Sequence, residues 1–256
     1  MPDVTVKQLF DAGAHLGHRP CFWNPKFVPY LYGKHNGIHI INLDKTLPMF
    51  KNALAFISDM ASKGGKILFV GTKRAASESI ENEARRCGMP YVHLHWLGGF
   101  LTNYKTVQNS IKEYNKLKVQ IENNALGGLS KKENRQIERK FNKLSCSFEG
   151  ICDLTSPPDA LFVIDVAYEE IAVKEAMKLE IPIAAIVDSN NSMHGISYPV
   201  PANDDAISSI ALYTRLAADA VIEGIEKAQE AAREEEITTS PSEADVVASD
   251  ETSISD

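Results

Sequence analysis

With 256 residues, 44% of them hydrophobic, the chain is long enough to bury a core and too mixed in composition to be fibrous or wholly disordered. Its longest apolar runs, Ala160–Ile164 and Ile183–Val187, fall far short of the roughly 20 residues of a spanning helix, and no secretory pattern opens the chain, so a soluble cytoplasmic protein is expected. Cys21, Cys87, Cys146 and Cys152 form no C-x-x-C pair and read as reduced thiols.

The net charge of −7 conceals a division. Residues 1–145 hold 22 Lys/Arg against 11 Asp/Glu, residues 146–233 hold 5 against 15, and residues 234–256 hold none against 8. A basic half attracts phosphate, because Lys and Arg displace condensed counterions from nucleic acid. The plainer reading is ordinary solvation of helix faces.

In chain order, the segment from Arg19 to Lys34 is kept irregular by Pro20, Pro25 and Pro29 and interleaves aromatic with basic residues. Arg19, Trp23, Asn24, Lys26 and Lys34 suit stacking and backbone contact with RNA; the alternative is an aromatic strap buried over a sheet edge. Asn36-Gly37 is a turn signal between Tyr30–Tyr32 and Ile38–Ile40. Near-continuous apolar runs at Ile38–Leu43, Lys66–Gly71, Tyr91–His95, Ala160–Asp165 and Pro182–Asp188 predict buried strands of a parallel sheet. Helical periodicity over Leu47–Met60, Ala75–Cys87 and Glu169–Leu179, and in a long final helix from near Asp204 with Asn203 as its cap, alternates with them. This alternation predicts a doubly wound α/β domain over residues 1–104 and 146–232.

Between the third and fourth strands the alternation breaks. Val107, Ile111, Tyr114, Leu117 and Ile121 recur at helical spacing, an Asn123–Gly128 turn follows, Ser130 and Glu133 have capping-box spacing, and Ile137, Phe141 and Leu144 continue the stripe. The pattern predicts an inserted antiparallel coiled-coil hairpin over residues 105–145. Its Lys105, Lys112, Lys116, Lys131, Lys132, Arg135, Arg139 and Lys140 make it a basic arm suited to gripping an anion. Beyond the last helix, residues 233–256 have the composition of a disordered acidic tail.

The loop Gly71-Thr72-Lys73-Arg74 lies where α/β proteins present amide groups to phosphate, and Lys73 and Arg74 add charge. It lacks G-x-x-x-x-G-K-[ST] and G-x-G-x-x-G, so an RNA phosphate fits as well as a nucleotide, and a plain turn is the alternative. The stretch from Trp96 to Lys105, with paired glycines, reads as RNA-facing at Asn103 and Lys105 or as an elbow packing the hairpin base, with Trp96 assigned to packing. His15, His18 and Cys21 are spaced by three, Asp165 and Asp188 end strands, and Asp204 and Asp205 open a helix. A His18–Asp188–Asp204 cluster could hold a structural divalent ion, although no spacing is diagnostic of one. No G-x-S-x-G, H-E-x-x-H or nucleophile–base set points to catalysis. On residues alone, two rivals stay open: an enzyme using Gly71–Arg74 as an anion loop, and a regulatory nucleotide-binding module.

Several stretches resemble one family, the bacterial small-subunit ribosomal protein two: Ala12-Gly13-Ala14-His15-Leu16-Gly17-His18, Trp23-Asn24-Pro25-Lys26, Asn36-Gly37-Ile38-His39-Ile40-Ile41 and Phe69-Val70-Gly71-Thr72-Lys73-Arg74. Trp96-Leu97-Gly98-Gly99, Leu101-Thr102-Asn103, Pro158-Asp159-Ala160-Leu161-Phe162-Val163, Ala172-Val173-Lys174-Glu175-Ala176 and Asn203-Asp204-Asp205-Ala206 follow in family order. The resemblance implies a flavodoxin-like domain with an inserted coiled-coil hairpin, and a structural role without cofactor or small-molecule substrate. It also implies binding to small-subunit ribosomal RNA near the head–body junction, neighbouring small-subunit proteins as partners, and help in recruiting ribosomal protein one. The chain departs from the family at Ser189–Gly195, where Asp-Pro is common, at Ala202, where Gly is usual, and at Thr155-Ser156-Pro157.

Overall fold

The computed structural model describes residues 4–122 and 131–239. The described chain opens with α1 (Val6–Asp11), closed by a reciprocal cap in which the Thr5 hydroxyl accepts from the Gln8 amide and the Gln8 side chain accepts from the Thr5 amide. A 3₁₀ turn at Pro25–Tyr30 leads into β1 (Leu31–His35), which pairs antiparallel with β2 (Ile38–Ile41). Asn36 and Gly37 join them with φ of 48° and 77°, the left-handed pair that an Asn-Gly hairpin turn requires. The run at Ile38 therefore does not enter the parallel sheet, contrary to its apolar composition. Its residues alternate between half-buried and buried, as in a ribbon with one face against the domain.

The parallel sheet consists of β3 (Ile67–Val70), β4 (Tyr91–Val92), β5 (Ala160–Ile164), β6 (Ile183–Val187) and β7 (Tyr198–Pro201), in the order β4-β3-β5-β6-β7. This is the flavodoxin-like doubly wound order. β7 is the strand that apolar-run reading misses. Pro199 and Pro201 argue against a central strand, but β7 is an edge strand, where the missing N–H groups cost no ladder partner.

Successive side chains of the strands enter two different cores, which is why the runs are apolar without interruption. Ile67, Phe69, Phe162 and Ile186 meet Phe50, Ile57, Ile80, Tyr213 and Val221 from α2 (Leu43–Ser62), α3 (Arg74–Cys87) and α7 (Ile207–Thr239). Leu68, Val70, Leu161, Val163 and Val187 face Trp96, Phe100, Phe148 and the Val173 side of α6 (Glu170–Lys178).

Two helices, α4 (Tyr104–Glu122) and α5 (Lys131–Phe148), interrupt the alternation between β4 and β5. They run antiparallel: Glu113 pairs with Lys140, and the Tyr114 and Phe141 rings stack with centroids 5.3 Å apart. Val107, Ile111 and Tyr114 are buried against the second core, whereas Leu117 and Ile121 are only half-buried. The pair is thus anchored at its base. The Asn123–Gly128 turn and Ser130 lie outside the described residues.

α7 begins at Ile207, and Asn203 prepares it by accepting from the Asp205 and Ala206 amides. The helix continues to Thr239, so residues 233–239 are helical where the composition predicts disorder. Their glutamates are good helix formers and extend an established helix without a new nucleation cost. The remainder of the expected tail lies outside the described residues.

Candidate nucleic-acid interface

The N-terminal strap is fastened from within. Gly17 donates to the His39 carbonyl at 2.9 Å, His39 to that of His18 at 3.0 Å, and Ile41 to that of His15 at 2.8 Å. Ser189, after β6, holds the strap to the sheet edge: its hydroxyl accepts from the His18 amide at 2.8 Å and its carbonyl from the Asn24 amide at 2.7 Å. A Cβ at position 17 would lie 2.9 Å from the Ser189 hydroxyl and 3.2 Å from the His39 carbonyl, so glycine permits this approach. Half-buried Trp23 rests 5.0 Å from the His39 ring, and the Asn24 side chain accepts from the Lys26 amide at 3.0 Å. Trp23 and Asn24 thus shape the strap, while Arg19, Lys26 and Lys34 are exposed on it. The strap reading of this segment is observed, with its basic residues left on the outer side.

A single carboxylate organises the loop before α4. Glu175, buried on α6, accepts from the amides of Gly99 at 2.7 Å, Leu101 at 2.9 Å and Thr102 at 3.1 Å, and from the Trp96 indole at 3.3 Å. Burial opposes its ionisation, but these donors outweigh burial and hold its pKa below the usual carboxylate value. Trp96 is buried edge-to-face against Phe100, as its packing assignment required. Asn103 and Lys105 emerge exposed at the start of α4. Sequence reasoning missed Glu175. Its signal was an acid three residues after Ala172 and next to Ala176, both on the buried side of α6.

Along the helical pair, Lys112, Lys116, Lys132, Arg135 and Arg139 are exposed, as is Lys140 beside Glu113. Lys131 opens α5. Among the described residues, no carboxylate pairs with Arg19, Lys26, Lys34, Arg74, Lys105, Lys112, Lys116, Lys132, Arg135 or Arg139.

The C-terminal edge of the parallel sheet is built in the opposite way. The Thr72 amide and hydroxyl both donate to Glu169 at 2.6 Å, so the chain's own carboxylate fills the anion position of the Gly71–Arg74 loop. Glu169 is buried, and burial raises its pKa. The Lys73 ammonium lies 3.0 Å from Asp165, 3.1 Å from Asp204 and 2.5 Å from Asp205. Burial works against its charge, but the three carboxylates overcome burial and raise its pKa. Lys73 is therefore turned inward onto these carboxylates, unlike the exposed position expected of it on the loop, and only Arg74 of the pair is exposed.

Asp165 adopts a φ of 64°, an uncommon conformation for a non-glycine residue, and stabilises the turn after β5 by accepting from the Ala167 and Tyr168 amides at 3.1 Å. His18 Nδ1 approaches Asp188 Oδ1 to 3.2 Å, and this carboxylate raises the imidazole pKa to about 9. Asp204 has no exposed surface, and burial together with Asp188 and Asp165 pushes its pKa up. The structure brings His18, Asp188 and Asp204 together but stacks His15 on Phe10 and leaves Cys21 exposed.

The anion loop of this α/β domain is thus closed by its own glutamate, whereas the strap and the helical pair carry exposed cations. Residues 9–224 match the family described as Ribosomal protein S2, and the chain belongs to that family. It is 49% identical over 221 residues, covering 86% of this chain and 83% of the relative, to the small ribosomal subunit protein uS2 of Dichelobacter nodosus (strain VCS1703A). The chain is a structural ribosomal protein of the small subunit and not an enzyme. Among the described residues, no helix is long and apolar enough to cross a membrane.

Proposed function

We propose that the chain binds small-subunit ribosomal RNA through three sets of residues: Arg19, Lys26 and Lys34 on the strap; Asn103 and Lys105 at the entrance to the helical pair; and Lys112, Lys116, Lys131, Lys132, Arg135, Arg139 and Lys140 along the pair. Arg74 lies at the margin, and Trp23 and Asn24 support the strap from inside. The observation that carries this reading is that, among the described residues, no carboxylate pairs with the exposed Arg19, Lys26, Lys34, Lys105, Lys112, Lys116, Lys132, Arg135 or Arg139, while the sheet-edge carboxylates gather on Lys73. Unpaired Lys and Arg supply affinity by replacing counterions at phosphates, and the shape of the folded RNA supplies register.

Cross-linking in assembled subunits tests the assignment. RNA adducts are expected at Arg19, Lys26, Lys105 and Arg135, and none at Lys73. Adducts confined to the acidic C-terminal half would overturn it. The placement near the head–body junction and the recruitment of ribosomal protein one draw support from the family resemblance. Subunits assembled without the chain should retain less protein one, and adding the chain back should restore it; equal retention would remove that part of the proposal.

A further inference from the structure

We infer that the cleft between α3 and the segments that follow β4 and β5 receives one unpaired nucleotide of RNA, with guanine as the preferred base. This inference rests on the reading of the chain as an RNA-binding protein and adds to it a site that reads a base rather than a backbone. The cleft, of about 460 Å³, lies beside the edge strand β4 and is large enough for a single nucleotide.

Its walls carry the three contacts such a nucleotide needs. Tyr168, in the turn after β5, is 61% exposed; among the described residues its ring stacks on no other ring and its hydroxyl makes no hydrogen bond. Leu94, 48% exposed, lines the same cleft. An open aromatic face beside an apolar side chain is a stacking platform for a base. Arg74 is exposed and pairs with no carboxylate among the described residues, which leaves it to the phosphate.

Two carboxylates also line the cleft, and they differ. Glu81 is engaged, 2.7 Å from Arg85 and 3.5 Å from His93. Glu78 is exposed and, among the described residues, pairs with no cation. A carboxylate accepts two parallel hydrogen bonds from a fork of N–H donors, as it does from arginine. Guanine presents such a fork, N1–H and N2–H, on its pairing edge; adenine, cytosine and uracil do not. The edge is open only in an unpaired base. The same cleft is poorly built for a free nucleotide polyphosphate. The Thr72 amide and hydroxyl, which would cradle phosphates, are taken by Glu169, and Arg74 is the one Lys or Arg among the described residues lining the cleft. One cation matches the single phosphate that a nucleotide carries within a chain.

Fluorescence anisotropy of the full chain with end-labelled UUGUU, UUAUU and UUUUU tests the site. UUGUU is expected to bind at least about fivefold more tightly than the other two. Tyr168→Ala should weaken UUGUU at least about fivefold, the cost of one lost stacking contact, whereas Tyr168→Phe retains it. Glu78→Gln should remove the preference for guanine, and Lys63→Ala on a distant surface should change nothing. Tyr168 and Glu78 are exposed, so these variants leave the core intact. Equal binding of the three pentamers, UUGUU binding unmoved by Tyr168→Ala, or free GMP binding as tightly as UUGUU would each overturn the proposal. Failure of the cleft is separable from failure of the wider reading. If only the cleft is wrong, small-subunit ribosomal RNA still binds, and its affinity falls with Lys112→Glu, Arg135→Glu and Arg139→Glu. If that RNA does not bind either, the wider reading fails.

Discussion

The cationic outer surface and the sheet edge use the same residue type to opposite ends. On α4 and α5, Lys112, Lys116, Lys132, Arg135 and Arg139 stand exposed and, among the described residues, without carboxylate partners. At the sheet edge, Lys73 is half-buried among Asp165, Asp204 and Asp205. An exposed cation contributes little to folding and remains available to a phosphate. A cation inside a carboxylate cluster is part of the fold, since its removal leaves buried charges uncompensated. On the proposed function, the two regions separate binding from stability within one molecule.

The largest expected effect comes from the outer surface. Reversing Lys112, Arg135 and Arg139 to Glu should abolish subunit assembly and leave the melting temperature of the isolated chain nearly unchanged. Parallel loss of both would make the helical pair part of the folding core and end the contrast. Lys73→Met should show the converse: a loss of about 3 kcal/mol in denaturant unfolding, with RNA affinity of the folded chain changed less than about twofold. A large affinity loss at unchanged stability would return Lys73 to the interface.

Glu175→Gln sharpens the comparison from the carboxylate side. The amide is a poorer acceptor for the Gly99, Leu101 and Thr102 amides, and a loss of about 2 kcal/mol is expected. The folded-state pKa of Glu175 is depressed, so its stabilisation is complete above the unfolded value of about 4.3 and is lost as pH falls through the folded value. Acid titration of stability should therefore decline less steeply in Glu175→Gln than in the parent chain. The smallest effect belongs to a surface pair: Lys63→Ala, which removes the exposed ion pair with Asp59, should change stability by less than about 0.5 kcal/mol.

Local pattern made much of the fold legible. Apolar runs located β3, β5 and β6, helical spacing located α2, α3 and α6, and the Asn36-Gly37 turn was placed between its strands. What failed depended on context that local pattern does not carry. β7 hid behind two prolines tolerated only because the strand lies at the edge, and β2 has a buried-strand composition but pairs outside the main sheet. For the site, exposure of the hairpin cations followed from their place off the apolar stripe. The inward turn of Lys73 did not, because its partners lie 92, 131 and 132 residues away in sequence. Glu169 and Glu175 were missed for the same reason: each satisfies amides of a loop more than 70 residues distant.

RNA affinity of the purified chain across a salt series, with small-subunit ribosomal RNA against an unrelated structured RNA, tests the central claim most directly. About six phosphate contacts should cost roughly a thousandfold in affinity between about 50 and 200 mM salt, with preference for the ribosomal RNA retained. Weak binding with little salt dependence would contradict the assignment of the exposed cations to RNA.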